Sequence, residues 1–134
     1  MPWVESFEIP PVKHNAPIPM AARAGNILFT SGVMGADPQT GQIPPDVEDQ
    51  ARNCFRNLAT VLAKAGARTT DVVKVRVYIK SNNNRQAVNP PWLEMFPDEH
   101  SRPARHQTVV ETLNFDIQIE AMAVIQPPSP STPA

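Results

Sequence analysis

The segment from Asp46 to Lys80, DVEDQARNCFRNLATVLAKAGARTTDVVKVRVYIK, contains the two patterns that decide the fold. Up to Gly66, apolar residues recur at helical spacing, and from Val72 onward apolar residues alternate with polar ones. The first pattern is typical of an amphipathic helix and the second of a strand with one buried face. A helix followed closely by a half-buried strand predicts a mixed fold in which helices cover a sheet.

The predicted helix has recognisable ends. Asp46 can act as its N-cap, acidic residues occupy the first turn, where the helix dipole favours negative charge, and Gly66 supplies the stop. Cys54, the only cysteine, falls on the apolar stripe, so we expect a packed side chain rather than a reactive thiol. The stripe consists of Val47, Ala51, Cys54, Phe55, Leu58, Val61, Leu62 and Ala65.

The strand after this helix is predicted to point four side chains into the core: Val73, Val75, Val77 and Ile79. A second helix is predicted to bury Val88, Trp92 and Met95 or Phe96, and Pro90-Pro91 should distort or restart it. The remaining predicted strands are WVESFEI (residues 3–9), Asn26–Val33, Ala104–Leu113 and Asp116–Ile125.

This order of elements predicts an α+β layer, a single sheet with two helices on one face. The other face carries Lys74, Arg76, Gln118 and Glu120, and is therefore expected to be polar enough for water or for a wet subunit interface. The length of 134 residues suits one domain, predicted at 1–126, and the proline-rich end at 127–134 is predicted to be a flexible tail.

Composition narrows the classes of function. The formal net charge of −1 gives no general attraction to nucleic acid or anionic lipid, and basic residues do not gather with aromatic ones. No apolar run approaches the roughly 20 residues that span a bilayer, and no secretory leader is recognisable. We therefore expect a soluble cytoplasmic protein that binds neither nucleic acid nor membrane.

Several common catalytic and cofactor patterns are absent from the sequence. The glycines lack the spacings of nucleotide-binding loops, and the three histidines are scattered without cysteine partners, so neither a cofactor nor a metal site is predicted. A triad of Ser31, His106 and Glu120 can be written down, but Ser31 lies in no G-x-S-x-G elbow.

Arg105 and Glu120 are the remaining candidates for chemistry. Arg105 opens a strand within SRPARHQTV (residues 101–109), and its planar fork of donors suits bidentate capture of a carboxylate. Glu120 lies on the polar face of the last strand. Both residues are also ordinary on a solvated strand face, so the pattern alone leaves a surface role open.

Two motifs resemble the Rid/YjgF family of imine and enamine deaminases, once described as L-PSP endoribonucleases. They are Pro103-Ala104-Arg105 and, 15 residues after the arginine, a glutamate within Ile119-Glu120-Ala121-Met122-Ala123. The resemblance extends from about Ala16 to Val124. It implies a chorismate-mutase-like fold assembled as a homotrimeric barrel, with ligand pockets between subunits and no cofactor.

The resemblance also implies roles for individual residues. Arg105 would bind the carboxylate of a 2-imino or 2-enamino acid, and Glu120 would position and activate the water that attacks the C=N carbon. A keto acid and ammonia would result. Gly32, Asn89 and the backbone at Gln107 match positions that line the pocket. His106 has the opposite strand parity to Arg105 and is expected to point away from the pocket.

Three positions depart from the family pattern. Ile18 stands where a pocket tyrosine is common, Gln107 where cysteine is frequent, and Asn114 where the turn usually has proline. These changes predict a substrate other than 2-iminopropanoate, such as a larger or dicarboxylic enamine like 2-aminomuconate. The alternative is a non-catalytic trimer that binds small carboxylates, as a sensor or in a chaperone-like role. RNA cleavage, a third hypothesis, is disfavoured by the lack of a basic patch.

Overall fold

The computed structural model describes residues 2–127, so apart from Pro127 the predicted tail lies outside the described residues. Seven strands and two α-helices follow one another in the chain. They are β1 (Glu5–Phe7), β2 (Ala21–Ala24), β3 (Ile27–Thr30), β4 (Val33–Met34), α1 (Val47–Lys64), β5 (Val72–Ile79), α2 (Asn89–Met95), β6 (Ala104–Val109) and β7 (Ile117–Val124). Short 3-10 turns at Thr69–Asp71 and Asn82–Val88 precede β5 and α2.

All seven strands form one sheet in the order β1-β2-β3-β7-β5-β6, with β4 also paired to β7. The β5–β6 pair is parallel, while the other pairs are antiparallel. Both helices cover the same face of this sheet, with the core between the two layers. The predicted α+β architecture of one sheet and two helices is thus confirmed.

Helix α1 buries the predicted stripe except for Val47, which is half-buried, and it begins directly after the predicted N-cap. The Asp46 side chain makes no capping hydrogen bond, so it acts through its extended backbone and its charge near the dipole. At the other end, Gly66 adopts a φ of +80°, which favours glycine. Arg23 Nη1 donates to the Ala65 carbonyl at 2.6 Å and satisfies one of the carbonyls left open at the helix end.

The prediction for β5 is wrong at its first inward residue. Val73 is 52% exposed, while Val72 is buried in its place. The register with β7 shifts between Val72 and Lys74, so Val73 is an extra residue that changes the parity of the strand. Val75, Val77 and Ile79 are fully buried, as predicted.

Two strands were not predicted. β2 forms a tight hairpin with β3 around Gly25, which has a φ of +59°, and β4 is a separate two-residue strand. The predicted strand Asn26–Val33 is therefore divided, with Ser31 and Gly32 between its two parts. Strand β6 ends at Val109 rather than Leu113 because the chain turns there.

Helix α2 starts at the proline pair, directly after the 3-10 turn Asn82–Val88, which agrees with the predicted restart. Pro90 and Pro91 lie in the first turn, where a missing amide donor costs least. Val88, Trp92 and Phe96 are buried, and the Trp92 and Phe96 rings meet edge to face with centroids 4.8 Å apart. This helix therefore brings Trp92 under the edge strand β6.

The sheet face that the helices leave open is not polar throughout. Lys74, Arg76, Gln118 and Glu120 lie on it as expected, but β3 and β7 add an apolar patch beside them. This apolar patch comprises Ile27, Phe29, Met122 and Val124. Phe29 is 52% exposed. No helix of the described chain has both the length and the apolar character required to cross a membrane.

Candidate functional site

Arg105 lies on the edge strand β6, and its side chain turns toward the helical layer. In the parallel β5–β6 pair it stands opposite Val75, a core residue. Its guanidinium carbon is 4.9 Å from the ring centroid of Trp92, and its Nη2 donates to Asn89 Oδ1 at 3.1 Å. A cation on an aromatic face and a hydrogen bond to a helix residue together hold the guanidinium in one orientation.

A second guanidinium, that of Arg85, lies close to Arg105. The pKa of Arg105 is lowered, first by partial burial and second by the positive charge of Arg85. The ion pairs formed within residues 2–127 do not include either arginine. The guanidinium of Arg105 is therefore oriented but lacks an anionic partner in the described chain.

Gln107 completes this group of residues. It follows Arg105 by two positions on β6, so both side chains leave the same face of the sheet. Gln107 Nε2 donates to the Arg85 carbonyl at 3.1 Å, whereas Gln107 Oε1 is buried without a hydrogen-bond partner. We call Arg85, Asn89, Trp92, Arg105 and Gln107 the arginine cluster.

Glu120 lies on the open face of the sheet, in the centre of β7. It stands opposite Arg76 on β5, and its side chain is 31% exposed. Tyr78 donates its hydroxyl to Glu120 Oε1 at 3.0 Å, and Arg76 Nε lies 3.9 Å from the same oxygen. The carboxylate is thus oriented through one oxygen by two residues of the neighbouring strand. We call Arg76, Tyr78 and Glu120 the carboxylate cluster.

Gly32 lies next to the carboxylate cluster. Val33 pairs with Ile119 in the antiparallel β4–β7 pair. Gly32, one residue before Val33, therefore lies beside Glu120 on β7. A Cβ at Gly32 would meet the end of the Gln118 side chain, which shares a sheet face with Glu120. A larger residue at position 32 would therefore displace the Gln118 amide beside the carboxylate cluster.

Ile18 lies in a third location. It is 45% exposed in the loop before β2, in a surface depression that Glu8, Lys13 and His14 also line. It belongs to neither the arginine cluster nor the carboxylate cluster.

The structure therefore brings the predicted residues together only in part. Asn89, Arg105 and Gln107 form one group and Gly32 and Glu120 another, on opposite faces of the sheet. His106 is directed away from Arg105, as its parity predicts, but this places it on the face of Glu120, opposite Arg76. Arg102 donates to the Phe96 and Pro97 carbonyls and holds the loop after α2.

Sequence reasoning missed four members of these clusters as site residues. Arg76 was predicted only to lie on the polar face of the sheet. Tyr78 could have been found, because alternation along β5 places it on the polar face, but its pairing with Glu120 depends on sheet register. Trp92 was predicted only as a core residue, and Arg85 carried no signal because it lies in an irregular turn. Among residues 2–127, no group of three or more histidines, cysteines or carboxylates is arranged to hold a metal.

The comparisons with known proteins give the family. The family model described as endoribonuclease L-PSP matches residues 13–125. RutC family protein PH0854 of Pyrococcus horikoshii is 39% identical over 116 residues, which cover 82% of this chain and 90% of that protein. A protein of Escherichia coli K12 named 2-iminobutanoate/2-iminopropanoate deaminase is 37% identical over 102 residues, covering 75% of this chain and 79% of its own length.

Solved structures agree with this match. The YjgF gene product of Escherichia coli has a TM-score of 0.78 at 33% identity, covering 89% of this chain and 95% of that chain. YyfA of Yersinia pestis, described as a Rid family protein of unknown function, has a TM-score of 0.80 at 29% identity, covering 91% and 99%. The chain belongs to the Rid/YjgF family, which the endoribonuclease L-PSP model describes.

Proposed function

We propose that this protein hydrolyses reactive imine and enamine carboxylic acids to keto acids and ammonia. The observation that carries the proposal is the orientation of Arg105 by Trp92 and Asn89 without any acidic partner in the described chain. A planar guanidinium held in this way suits a substrate carboxylate. The name of the Escherichia coli relative, 2-iminobutanoate/2-iminopropanoate deaminase, supports the same class of reaction.

In the proposed mechanism, Arg105 binds the carboxylate and sets the position of the C=N carbon. Glu120 accepts a proton from a water molecule as the oxygen attacks that carbon. The carbon–nitrogen double bond becomes a single bond, and the nitrogen takes up a proton. Collapse of this tetrahedral amino alcohol expels ammonia and leaves the keto acid. Because the imine carbon is already electrophilic, positioning and one proton relay suffice for the chemistry.

The proposed site lies between subunits. Arg105 and Glu120 of one chain leave opposite faces of the sheet, so one chain cannot direct both at the same small molecule. The exposed patch of Ile27, Phe29, Met122 and Val124 supports self-association, because contiguous apolar surface of this kind is typical of interfaces. We propose a homotrimer in which the arginine cluster of one subunit meets the carboxylate cluster of the next.

The substrate is proposed to be larger than 2-iminopropanoate, and an aminomuconate-like acid is one candidate. Ile18 provides an apolar surface where the family resemblance places a tyrosine, and it is exposed enough to contact a ligand at an interface. The second candidate function is binding of small carboxylates without turnover. It is favoured by the same absence of a phenol at position 18.

To test this proposal, an amino-acid oxidase produces several 2-imino acids in the presence of semicarbazide, which traps the imine. An active protein competes with the trap, so less semicarbazone and more free keto acid form, and Arg105→Ala abolishes the effect. Failure to accelerate hydrolysis of any imine or of 2-aminomuconate, with binding of keto acids retained, would replace the deaminase with the binding function.

A further inference from the structure

Two guanidiniums share the arginine cluster. Arg85 is held on the turn before α2, where Gln107 Nε2 donates to its carbonyl at 3.1 Å and its own Nη2 donates to Asn82 Oδ1 at 3.0 Å. Arg105 is held by Asn89 and Trp92. Both side chains are therefore anchored, and neither depends on an acidic residue of the described chain for its position.

Two adjacent positive charges without a counterion are unfavourable. Partial burial lowers the pKa of Arg105 most, and the positive charge of Arg85 lowers it further. A bound monocarboxylate would neutralise only one of the two charges. A ligand with two carboxylates would neutralise both, and each guanidinium fork can take one carboxylate in a bidentate arrangement. The charge of the cluster thus matches a dianion.

Hydrogen bonding places the two arginines in one group. Gln107 Nε2 donates to the Arg85 carbonyl, and the Gln107 side chain leaves the same face of the sheet as Arg105, two residues along β6. Gln107 Oε1 lies in the same group and is buried without a hydrogen-bond donor in the described chain.

We infer that Arg85 binds a second carboxylate of the substrate, so that the protein acts on imino or enamino dicarboxylic acids in preference to monocarboxylic ones. The inference rests on the proposed function for the reaction. It assigns Arg105 to the carboxylate next to the reacting carbon and Arg85 to the distal carboxylate. Substrate choice is then set by a residue outside the two family motifs.

The experiment measures binding of stable keto acids by calorimetry, which needs no turnover. The probes are 2-oxoglutarate and 2-oxopentanoate, which have equal chain length but differ in the distal carboxylate, with 2-oxoadipate as a longer dicarboxylate. We expect at least one dicarboxylate to bind wild type tenfold or more tightly than 2-oxopentanoate. Arg85→Gln should remove this preference without weakening 2-oxopentanoate, while Arg105→Ala should weaken all three.

Arg52→Gln is the matched control, because it removes one exposed positive charge from α1, where Arg52 pairs with Asp49. Equal binding of mono- and dicarboxylates to wild type would overturn the inference. It would also be overturned if Arg85→Gln changed the oligomeric mass in light scattering, since Arg85 would then be a subunit contact. Dicarboxylate preference without imine hydrolysis would refute only the proposed reaction, and hydrolysis without that preference would refute only the role of Arg85.

Discussion

Arg105 and Glu120 lie on opposite faces of one sheet. In the registers of β5, Arg105 stands opposite Val75, a core residue, and Glu120 stands opposite the next residue, Arg76, which faces outward. Because consecutive residues of a strand point to opposite faces, the two side chains are separated by the thickness of the sheet. The proposed anion-binding arginine and the proposed general base therefore serve two different surfaces of each chain.

Replacing Arg105 should weaken binding of keto acids. For Arg105→Ala we expect a loss of about 10- to 100-fold, corresponding to the roughly 1.5–3 kcal/mol of a hydrogen bond to a charged group. Arg105→Lys should recover only part of this loss, because an ammonium lacks the planar fork and stacks less well on Trp92. Calorimetric titration measures both. Equal affinity in wild type and Arg105→Ala would show that the ligand binds elsewhere.

Glu120 and Tyr78 should act as a unit in catalysis. Glu120→Gln should lower kcat by about 10²- to 10⁴-fold, the usual contribution of a positioned acid or base. Tyr78→Phe should lower kcat by about tenfold with little change in KM, because its hydroxyl contacts Glu120 Oε1, and hydrogen bonds to a charged group contribute about this much. In a Glu120→Gln background the Tyr78 substitution should have no further effect on kcat. An undiminished effect there would mean that Tyr78 acts independently of the carboxylate.

The apolar patch on the open face should hold the oligomer together. Phe29→Asp places a charge within the patch and should convert the protein to smaller species in light scattering, with loss of deamination. Thr60→Asp is the control, because Thr60 is exposed on α1 and belongs neither to the apolar patch nor to the arginine cluster. If the Phe29 variant kept the oligomeric mass of wild type, the subunit interface would have to use another surface.

Cys54 should remain protonated in the folded protein well into alkaline solution. Complete burial raises the pKa of its thiol, while the unfolded chain ionises near its ordinary value of about 8.5. The raised pKa contributes stability that is fully present below the pKa of the thiol in the unfolded chain. As pH rises above that pKa, this stability is lost by up to about 1.4 kcal/mol per pH unit. Urea unfolding between pH 8 and 10 should therefore show a steeper decline for wild type than for Cys54→Ala.

The same burial predicts slow modification of Cys54. A thiol reagent such as 5,5′-dithiobis(2-nitrobenzoate) should react with the native protein only at the rate of unfolding, and immediately in urea. Fast labelling of the native protein would contradict the assignment of Cys54 to the core. So would an equal decline with pH in the unfolding free energies of wild type and Cys54→Ala.

Local patterns in the sequence were sufficient for the layers of this fold. The stripe of α1 and the alternation in β7 are periodic over many residues, and both match the buried residues of the structure. Two strands are too short to show a period: β2 has four residues and β4 has two. The bulge at Val73 reverses the alternation of β5, and no local sequence pattern predicts it. These features depend on how strands pair, which a local pattern does not contain.

The candidate site was predictable only as separate residues. The family motifs pointed to Arg105 and Glu120, but the relation between them required the registers of β5 with both β6 and β7. Tyr78 and Arg85 are ordinary residues in the sequence, and they gain roles only because the fold places them beside Glu120 and Arg105. Tertiary pairing, rather than residue type, therefore defines the two clusters.

A site shared between subunits predicts that two inactive variants restore activity when mixed. Arg105→Ala subunits keep the carboxylate cluster, and Glu120→Gln subunits keep the arginine cluster. In a cyclic trimer with both kinds of subunit, one of the three interfaces joins an intact Arg105 to an intact Glu120. Random assembly of equal amounts should therefore recover about a quarter of wild-type activity.

The two variants are co-expressed with different tags, so that mixed oligomers are purified and their composition is verified by native mass spectrometry. The matched control mixes Arg105→Ala with the Arg105→Ala/Glu120→Gln double variant, in which no interface can join two intact residues. Because Arg105 and Glu120 leave opposite faces of each sheet, recovery is expected only in the first mixture. Verified mixed oligomers without activity would exclude a site in which these two residues act together from neighbouring chains.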